Sequence, residues 1–161
     1  STAVGVCDAL GRPGILLTSH VDQLPKVLPD TVKHFRFLPM SWLLPRCALH
    51  VNHGGMGSVA WTLAAGIPQL NVPWGFDQRD TSLRLKRLGV ADFLPPKTFT
   101  VHRAVERIRT LLASPNVAGA CRDYADRCRR TDALEIACRA IESLDPTATP
   151  SRTPEPSLIG T

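Results

Sequence analysis

The chain has 161 residues, of which 43% are hydrophobic and 20% charged, and its formal net charge at pH 7 is +5. This balance is typical of a soluble globular protein and excludes the disordered and fibrous classes. No apolar run approaches the roughly 20 residues that a membrane-spanning helix needs, so we expect no transmembrane segment. No signal-peptide pattern opens the chain, and the five scattered cysteines form no Cys-x-x-Cys pair. Both features favour a reducing, cytoplasmic location.

The basic excess is concentrated in two stretches, 84–87 and 127–130, which both lie in segments with a helical pattern. Such charge runs usually form solvated helix faces. Aromatic residues make up 6% of the chain and do not interleave with the basic ones, so no stacking platform for a single-stranded nucleic acid is visible. We therefore expect no nucleic-acid partner.

Apolar periodicity and turn residues predict helices and strands that alternate along the chain. The predicted strands lie at 14–18, 34–37, 48–52 and 68–72, and a loop is predicted at 20–33. The predicted helices are one that ends at Gly11, one from near Ser58 to Gly66, one that ends at Gly89, one capped by Thr100 and one over about 116–144. Tyr124, Cys128, Leu134, Ile136 and Ile141 are expected on the buried side of the last helix.

This alternation predicts an α/β domain with a doubly wound, mostly parallel sheet over residues 1–144. Residues 145–161 are rich in Pro, Thr and Ser with little apolar content, so we expect a disordered tail there. Ligands of such folds bind beyond the carboxyl ends of the strands.

The most informative segment, 50–78, follows one of these strands. Three glycines, Gly54, Gly55 and Gly57, precede a helix that is expected to start near Ser58. Free backbone N–H groups at a helix start attract anions, and glycine lets a phosphate approach the backbone. The segment is neither a P-loop nor a dinucleotide fingerprint. A simple glycine turn without a ligand remains an alternative on this feature alone.

Several motifs in order and spacing make the segment more specific. They read Phe37-Leu-Pro39, Leu43-Leu-Pro45, His53-Gly-Gly-Met-Gly-Ser58, Ala65-Gly-Ile-Pro68 and Pro73-Trp-Gly-Phe-Asp77-Gln78. This series resembles the donor-binding signature of the family 1 UDP-glycosyltransferases and their antibiotic- and sterol-glycosylating relatives. The resemblance extends more weakly over about residues 2–130. It implies the C-terminal half of a GT-B fold, lacking that half's first strand.

The resemblance also implies roles for single residues. His53, Gly55, Gly57 and Ser58 would bind the donor diphosphate, Asp77 and Gln78 the sugar hydroxyls, and Met40 and Trp42 would lie near the nucleobase. Each has a structural alternative: His53 as a structural hydrogen-bonding residue, Asp77 as a helix N-cap and Trp42 as a core side chain. No residue of this chain is expected to be catalytic, because the family's catalytic base belongs to an N-terminal acceptor domain that we expect to be missing.

Two departures from the family pattern concern the nucleotide. Trp61 stands where many members have a ribose-binding glutamate, and Met40 replaces a usual glutamine. The resemblance favours a UDP-sugar donor, with a TDP-sugar as the other possibility. Neither a cofactor nor a metal is expected, since no Asp-x-Asp pair is placed to hold one.

The resulting hypothesis is the donor-binding portion of an inverting glycosyltransferase (a hexosyltransferase), which is inactive as an isolated fragment. Its partners would be the donor, a small-molecule or lipid acceptor of unknown identity, and the N-terminal domain. The alternative is a non-catalytic nucleotide-sugar-binding or interaction module, a truncated remnant. An epimerase or a lipid-linked sugar transferase is disfavoured by the Asp77-Gln78 ending of the segment.

Overall fold

Five short strands and seven α-helices alternate along residues 1–144, the part of the chain that the computed structural model describes. The strands are β1 (Gly14–Leu17), β2 (Val32–Phe35), β3 (His50–Asn52), β4 (Gln69–Asn71) and β5 (Ala91–Phe93). The helices are α1 (Thr2–Leu10), α2 (Met40–Leu43), α3 (Met56–Ala65), α4 (Gln78–Arg87), α5 (Val101–Ala113), α6 (Pro115–Arg130) and α7 (Ala133–Glu142). Short 3₁₀ turns lie at Val21–Gln23, Leu44–Arg46 and Pro96–Thr98.

All of the strand pairing in this part of the chain is parallel, which confirms the predicted α/β class. β1 pairs with β2, and β3, β4 and β5 pair in that order. The strands therefore form a two-stranded and a three-stranded sheet, and within residues 1–144 β1 and β3 are each hydrogen-bonded on one side only. In the register of the larger sheet, Asn52 lies beside Asn71.

Helices cover both faces of the three-stranded sheet, as expected for a doubly wound arrangement. Leu70 of β4 belongs to a buried cluster with residues of α1 and α5. Its neighbours Gln69 and Asn71 point to the opposite face, because side chains alternate along a strand. On that face Gln69 bonds Asn52, and His50 bonds Thr62 of α3. A second buried cluster joins α3, α4, β5 and α6.

Several predicted helix ends are confirmed by their backbone geometry. Gly11 and Gly66 follow α1 and α3 in the left-handed conformation, with φ of 60° and 71°. Glycine tolerates this conformation because it has no Cβ. Thr100 caps α5 by accepting a hydrogen bond from the backbone N–H of Arg103.

The prediction of a single helix over residues 116–144 is wrong, because two helices, α6 and α7, lie there. The helix breaks after Arg130, and α7 starts anew behind Asp132, whose carboxylate accepts a hydrogen bond from the Glu135 backbone N–H at 2.9 Å. The chain divides nearby into two compact units, with the boundary between Arg129 and Arg130. Of the residues predicted to be buried there, Tyr124 is half-buried, whereas Cys128, Leu134, Ile136 and Ile141 are exposed.

The other differences between the predicted and the observed elements are smaller. The second strand starts at Val32 rather than 34, inside the predicted loop, and β5 was not predicted at all. None of the helices within residues 1–144 combines the length and apolarity needed to cross a membrane. The tail predicted to be disordered, 145–161, lies outside the described residues.

Candidate donor-binding site

The predicted phosphate and sugar residues follow two neighbouring parallel strands, β3 and β4. The turn at 53–55 joins β3 to α3, and the loop at 72–77 joins β4 to α4. Because the carboxyl ends of parallel strands meet at one edge of the sheet, both connections leave from the same side. The turn also approaches α4 directly: a Cβ built on Gly54 would lie 3.0 Å from Ser82 Oγ and 3.2 Å from the Gln78 carbonyl oxygen.

The glycine turn exposes the start of α3. This helix begins at Met56, two residues earlier than predicted, so Gly57 and Ser58 belong to its first turn. Gly55 is the N-cap and offers no side chain to the first helical N–H groups, which have no partner within the helix. A Cβ built on Gly57 would meet nothing within 4 Å. The helix start is therefore open and carries the positive end of the helix dipole.

His53 lies over this turn with an exposed side chain. A Cβ built on Gly55 would collide with Nε2 of the His53 ring. Glycine at position 55 therefore lets the imidazole approach the backbone closely. Both features place an imidazole nitrogen beside the open N–H groups of α3, an arrangement suited to an anion.

A hydrogen-bonded chain beneath the turn was not recognised in the sequence. Thr62 Oγ1 lies 2.6 Å from the Ser58 carbonyl oxygen, which can only accept, so the hydroxyl donates there. His50 Nδ1 lies 2.7 Å from Thr62 Oγ1 and 3.3 Å from Asn52 Nδ2, so the imidazole joins the end of β3 to α3. Burial, together with the charge of nearby His53, lowers the pKa of His50 to about 4. His50 therefore stays neutral at physiological pH and ties β3 to the first turn of α3.

Three side-chain amides extend the polar layer across the sheet. Asn52 bonds the Gly54 backbone N–H and the side chains of Gln69 and Asn71. Gln69 and Asn71 are fully buried. A signal for this layer exists in the sequence, because Asn and Gln are uncommon in buried strands. Alternating polar residues at 50 and 52, and again at 69 and 71, mark one polar face of the sheet.

The loop after β4 is held by the predicted sugar-binding residue Gln78. Its side-chain oxygen accepts the backbone N–H groups of Trp74 at 2.8 Å and Gly75 at 3.3 Å. The loop is therefore closed by Gln78 Oε1, while Nε2 remains the donor available to a ligand. Asp77 stands at the N-cap position of α4, yet its side chain makes no capping hydrogen bond. Its exposed carboxylate is thus not occupied by the structural role that was the alternative for this residue.

Two aromatic side chains project from the same loop. Trp74 is 77% exposed and Phe76 is 100% exposed. Phe76 also has a positive φ of 54°, the one non-glycine residue within 1–144 with such a value. Left-handed backbone is disfavoured for a bulky side chain. A packing role, which is the expectation from the sequence for both residues, is therefore wrong.

A cleft of about 530 Å³ lies beyond the carboxyl ends of β1 and β2. Met40 lines it together with Thr18, Arg36 and Trp61. Trp61 is one turn from Ser58 on α3, which places it on the same side of that helix. Trp42, predicted beside Met40, does not line the cleft; its half-exposed ring packs on the Arg46 guanidinium at 4.5 Å. The structure therefore brings Met40, but not Trp42, to a cavity near the glycine turn.

The chain also matches a known protein family. Residues 13–142 match the erythromycin biosynthesis protein CIII-like, C-terminal domain. The chain belongs to this family. It is thus the C-terminal domain type of the antibiotic glycosyltransferases, and the predicted resemblance is confirmed.

Curated relatives agree with the family. The chain is 36% identical over 139 residues to the 3-alpha-mycarosylerythronolide B desosaminyl transferase of Saccharopolyspora erythraea, covering 83% of this chain and 32% of that protein. It is 35% identical over 105 residues to a TDP-daunosamine transferase of Streptomyces peucetius, covering 63% and 24%. The chain thus spans about a third or less of the length of these relatives.

Solved structures confirm the GT-B-type fold of the CIII-like domain. The glycosyltransferase of kitacinnamycin superposes with a TM-score of 0.80 at 26% identity, covering 88% of this chain and 38% of that one. The glycosyltransferase VinC, solved in complex with dTDP, gives a TM-score of 0.74 at 27% identity, covering 87% and 36%.

Proposed function

We propose that this CIII-like domain binds the nucleoside diphosphate sugar of an inverting glycosyltransferase. The observation that carries the proposal is the open start of α3, where Gly57 leaves free space and His53 lies over Gly55. A diphosphate would accept hydrogen bonds from His53, from the amides of Gly55 and Gly57, and from the Ser58 hydroxyl. Such charge-assisted bonds are worth about 1.5–3 kcal/mol each.

The sugar would lie toward the second loop. The free carboxylate of Asp77 would accept from sugar hydroxyls, and Nε2 of Gln78 would donate to one. Asp77 is exposed and Gln78 is half-buried, and Gln78, the first residue of α4, approaches Gly54 of the turn through its carbonyl oxygen. The distance between the two loops is therefore short enough for one extended ligand.

The nucleobase would enter the cleft that Met40 lines. The family resemblance favours uridine, with thymidine as the alternative. The relative solved with dTDP, a spinosyn rhamnosyltransferase solved with thymidine diphosphate and the TDP-daunosamine transferase support thymidine, whereas a UDP-sugar-dependent relative in Dictyostelium discoideum supports uridine. We therefore propose a thymidine diphosphate sugar as the donor.

In the complete reaction, a base outside this chain would deprotonate the acceptor hydroxyl, which attacks the anomeric carbon as the bond to the diphosphate breaks. His53 and the α3 amides would stabilise the negative charge of the leaving diphosphate. The contribution of the CIII-like domain is thus donor and leaving-group binding, and transfer of the hexose needs the acceptor domain.

A second function, a nucleotide-sugar-binding module without turnover, is favoured by one observation. Within residues 1–144 the strands form two separate sheets, and β1 and β3 are each paired on one side only. Unpaired strand edges are usually covered or blunted in stable enzymes.

Calorimetric titration tests the proposal. The purified 161-residue chain would be titrated with dTDP, UDP and a dTDP-hexose, beside His53→Ala and the matched control His102→Ala, which removes an exposed histidine of α5. We expect dTDP to bind and His53→Ala to weaken it by about 10- to 100-fold, the loss of one charge-assisted hydrogen bond. Absence of binding by a folded chain, or equal binding by both variants, would refute the diphosphate site.

A further inference from the structure

The glycine turn is hydrogen-bonded to the sheet beneath it through the side chain of Asn52, the last residue of β3. Its Oδ1 accepts the Gly54 backbone N–H at 2.7 Å and the Asn71 Nδ2 at 2.9 Å. Its Nδ2 donates to Gln69 Oε1 at 3.0 Å. A single carboxamide therefore joins the turn to β4.

The orientation of this network follows from the backbone. An N–H group can only donate, so the atom of Asn52 that faces Gly54 must be the oxygen. The amide nitrogen of Asn52 then faces Gln69, whose oxygen must be turned toward it. Asn71 Nδ2 in turn donates to the oxygens of both Asn52 and Gln69, at 2.9 and 3.2 Å. One backbone amide thus fixes how all three side chains are oriented.

The network is not arranged for stability alone. Within the described residues, Gln69 Nε2 and Asn71 Oδ1 are buried without a hydrogen-bond partner. Buried polar atoms of this kind cost stability, and apolar side chains of similar size would avoid the cost. Apolar side chains could not, however, hold the Gly54 N–H.

Holding Gly54 determines the geometry of the turn. Gly54 is buried, has a φ of 84° and packs against Ser82 and the Gln78 carbonyl. The next residue, Gly55, is the N-cap of α3, and its hydrogen atoms face the His53 ring. A change in the direction of Gly54 would therefore move both the helix start and the imidazole.

We propose that Asn52 is a positioning residue, which holds the Gly54 N–H so that His53 and the first amides of α3 converge on one diphosphate. The proposal rests on the proposed donor-binding function. Asn52 itself does not contact the ligand; it acts through the turn. Gln69 serves as the matched control, because it belongs to the same network but makes no contact with the turn.

The experiment compares Asn52→Ala, Asn52→Asp and Gln69→Met in the 161-residue chain. The readouts are the amide proton resonance and hydrogen exchange of Gly54, together with the dissociation constant of dTDP. Asn52→Ala is expected to shift the Gly54 resonance, speed its exchange and weaken dTDP binding at least about tenfold, which corresponds to about 1.4 kcal/mol. Gln69→Met leaves the contact between Asn52 Oδ1 and the Gly54 N–H in place, and it is expected to keep the Gly54 resonance position and to change the dTDP affinity by no more than about twofold.

Asn52→Asp distinguishes loss of the Asn52–Gly54 hydrogen bond from general damage to the core. Its carboxylate can still accept the Gly54 N–H, and Gln69 can turn over so that Nε2 donates to the second oxygen. We expect the Gly54 resonance and slow exchange to be retained in this variant. Loss of the Gly54 signature in Asn52→Asp, or equal loss of dTDP affinity in Asn52→Ala and Gln69→Met, would overturn the proposal.

A wrong positioning role and a wrong donor function give different experimental results. If the wild-type chain does not bind dTDP while Asn52→Ala alone changes the Gly54 signature, the anchor exists and the donor function is wrong. If dTDP binds but Asn52→Ala leaves both readouts unchanged, the positioning role is wrong and the donor function stands.

Discussion

The turn after β3 and the loop after β4 leave the same edge of one sheet, yet they are held in different ways. The glycine turn is held from below, by Asn52 of its own strand. The loop after β4 is held by hydrogen bonds to the side chain of Gln78, which belongs to the following helix, α4. The Asn52 contact leaves His53 and the amides of α3 free for a ligand. The Gln78 contacts, in contrast, occupy the side-chain oxygen of a residue that is itself predicted to bind the sugar.

Because of this difference, substitutions can distinguish effects on loop structure from effects on ligand binding more easily at one site than at the other. At the glycine turn, the anchoring residue and the proposed binding residues are different, so each can be changed alone. In the loop after β4, Gln78 combines both roles in one carboxamide, and only an isosteric change separates them. Four predictions follow this contrast, in order of decreasing expected effect.

The largest effect concerns the support of the glycine turn by His50. The folded-state pKa of about 4 lies below the ordinary value of 6.5 because of burial and then the charge of His53. The unfolded chain therefore binds a proton first, and stability should fall as the pH drops from about 6.5 to 4, by up to about 3 kcal/mol. Above pH 7 this contribution should be constant.

Denaturant unfolding at a series of pH values measures this dependence. His50→Gln should flatten the stability profile between pH 4 and 6.5, and the control His102→Gln should leave it unchanged. An unaltered profile in His50→Gln would show that the turn is not supported by a neutral His50.

The second prediction concerns Gly57, where a Cβ would meet nothing in the structure. Gly57→Ala should leave the fold intact, and alanine should slightly favour the helix. If the diphosphate approaches this backbone, the added methyl should weaken dTDP binding by about tenfold or more, as expected for a displaced charge-assisted bond. A thermal melt checks that the fold is intact, and calorimetry measures the dTDP affinity. An unchanged affinity would contradict the proposed approach of the diphosphate to the Gly57 backbone.

The third prediction sharpens the dual role of Gln78. Gln78→Glu keeps an oxygen acceptor for the Trp74 and Gly75 N–H groups but removes the Nε2 donor. We expect dTDP affinity to be preserved and dTDP-hexose affinity to fall about three- to tenfold, the loss of one hydrogen bond. Gln78→Ala, which also releases the loop, should weaken dTDP-hexose binding further. Equal affinities of Gln78→Glu and wild type for the dTDP-hexose would argue against a sugar contact.

The smallest effect is expected at Phe76, which is fully exposed with a φ of 54°. Asparagine tolerates this backbone conformation better than phenylalanine does. Phe76→Asn should therefore raise the free energy of unfolding by about 0.5–1 kcal/mol, measured by denaturant titration. A destabilised variant would indicate that the aromatic ring makes a contact that offsets the backbone strain.

The elements with strong local signals could be predicted from the sequence. Glycines 11 and 66 end helices because they alone adopt the left-handed conformation without strain, and Thr100 is a side-chain cap. The separate start of α7 also had a signal, Asp132 followed three residues later by Glu135, a pattern typical of a helix N-terminus. The continuing apolar pattern concealed this signal. β5 was missed because it has three residues and includes Asp92.

The candidate site was predictable only in part, for a physical reason. The positions of His53, Gly57, Asp77 and Gln78 follow from a local motif read along one segment. The contacts that hold them do not, because Asn52 bonds Asn71 and Gln69, which lie 19 and 17 residues away. Strand register decides which polar side chains meet, and single-sequence patterns do not determine register. Trp42 shows the same limit, since packing on Arg46 takes its ring outside the cleft.

The most direct measurement of the central claim is a nuclear magnetic resonance titration that compares dTDP with thymidine. The two ligands share the base and the deoxyribose and differ only in the diphosphate. We expect dTDP to shift the amide resonances of Gly55, Gly57 and Ser58. Thymidine, at concentrations that perturb the cleft around Met40, should leave these resonances in place. Identical shifts with both ligands, or dTDP-induced shifts that avoid the start of α3, would contradict the assignment of the glycine turn as the diphosphate site.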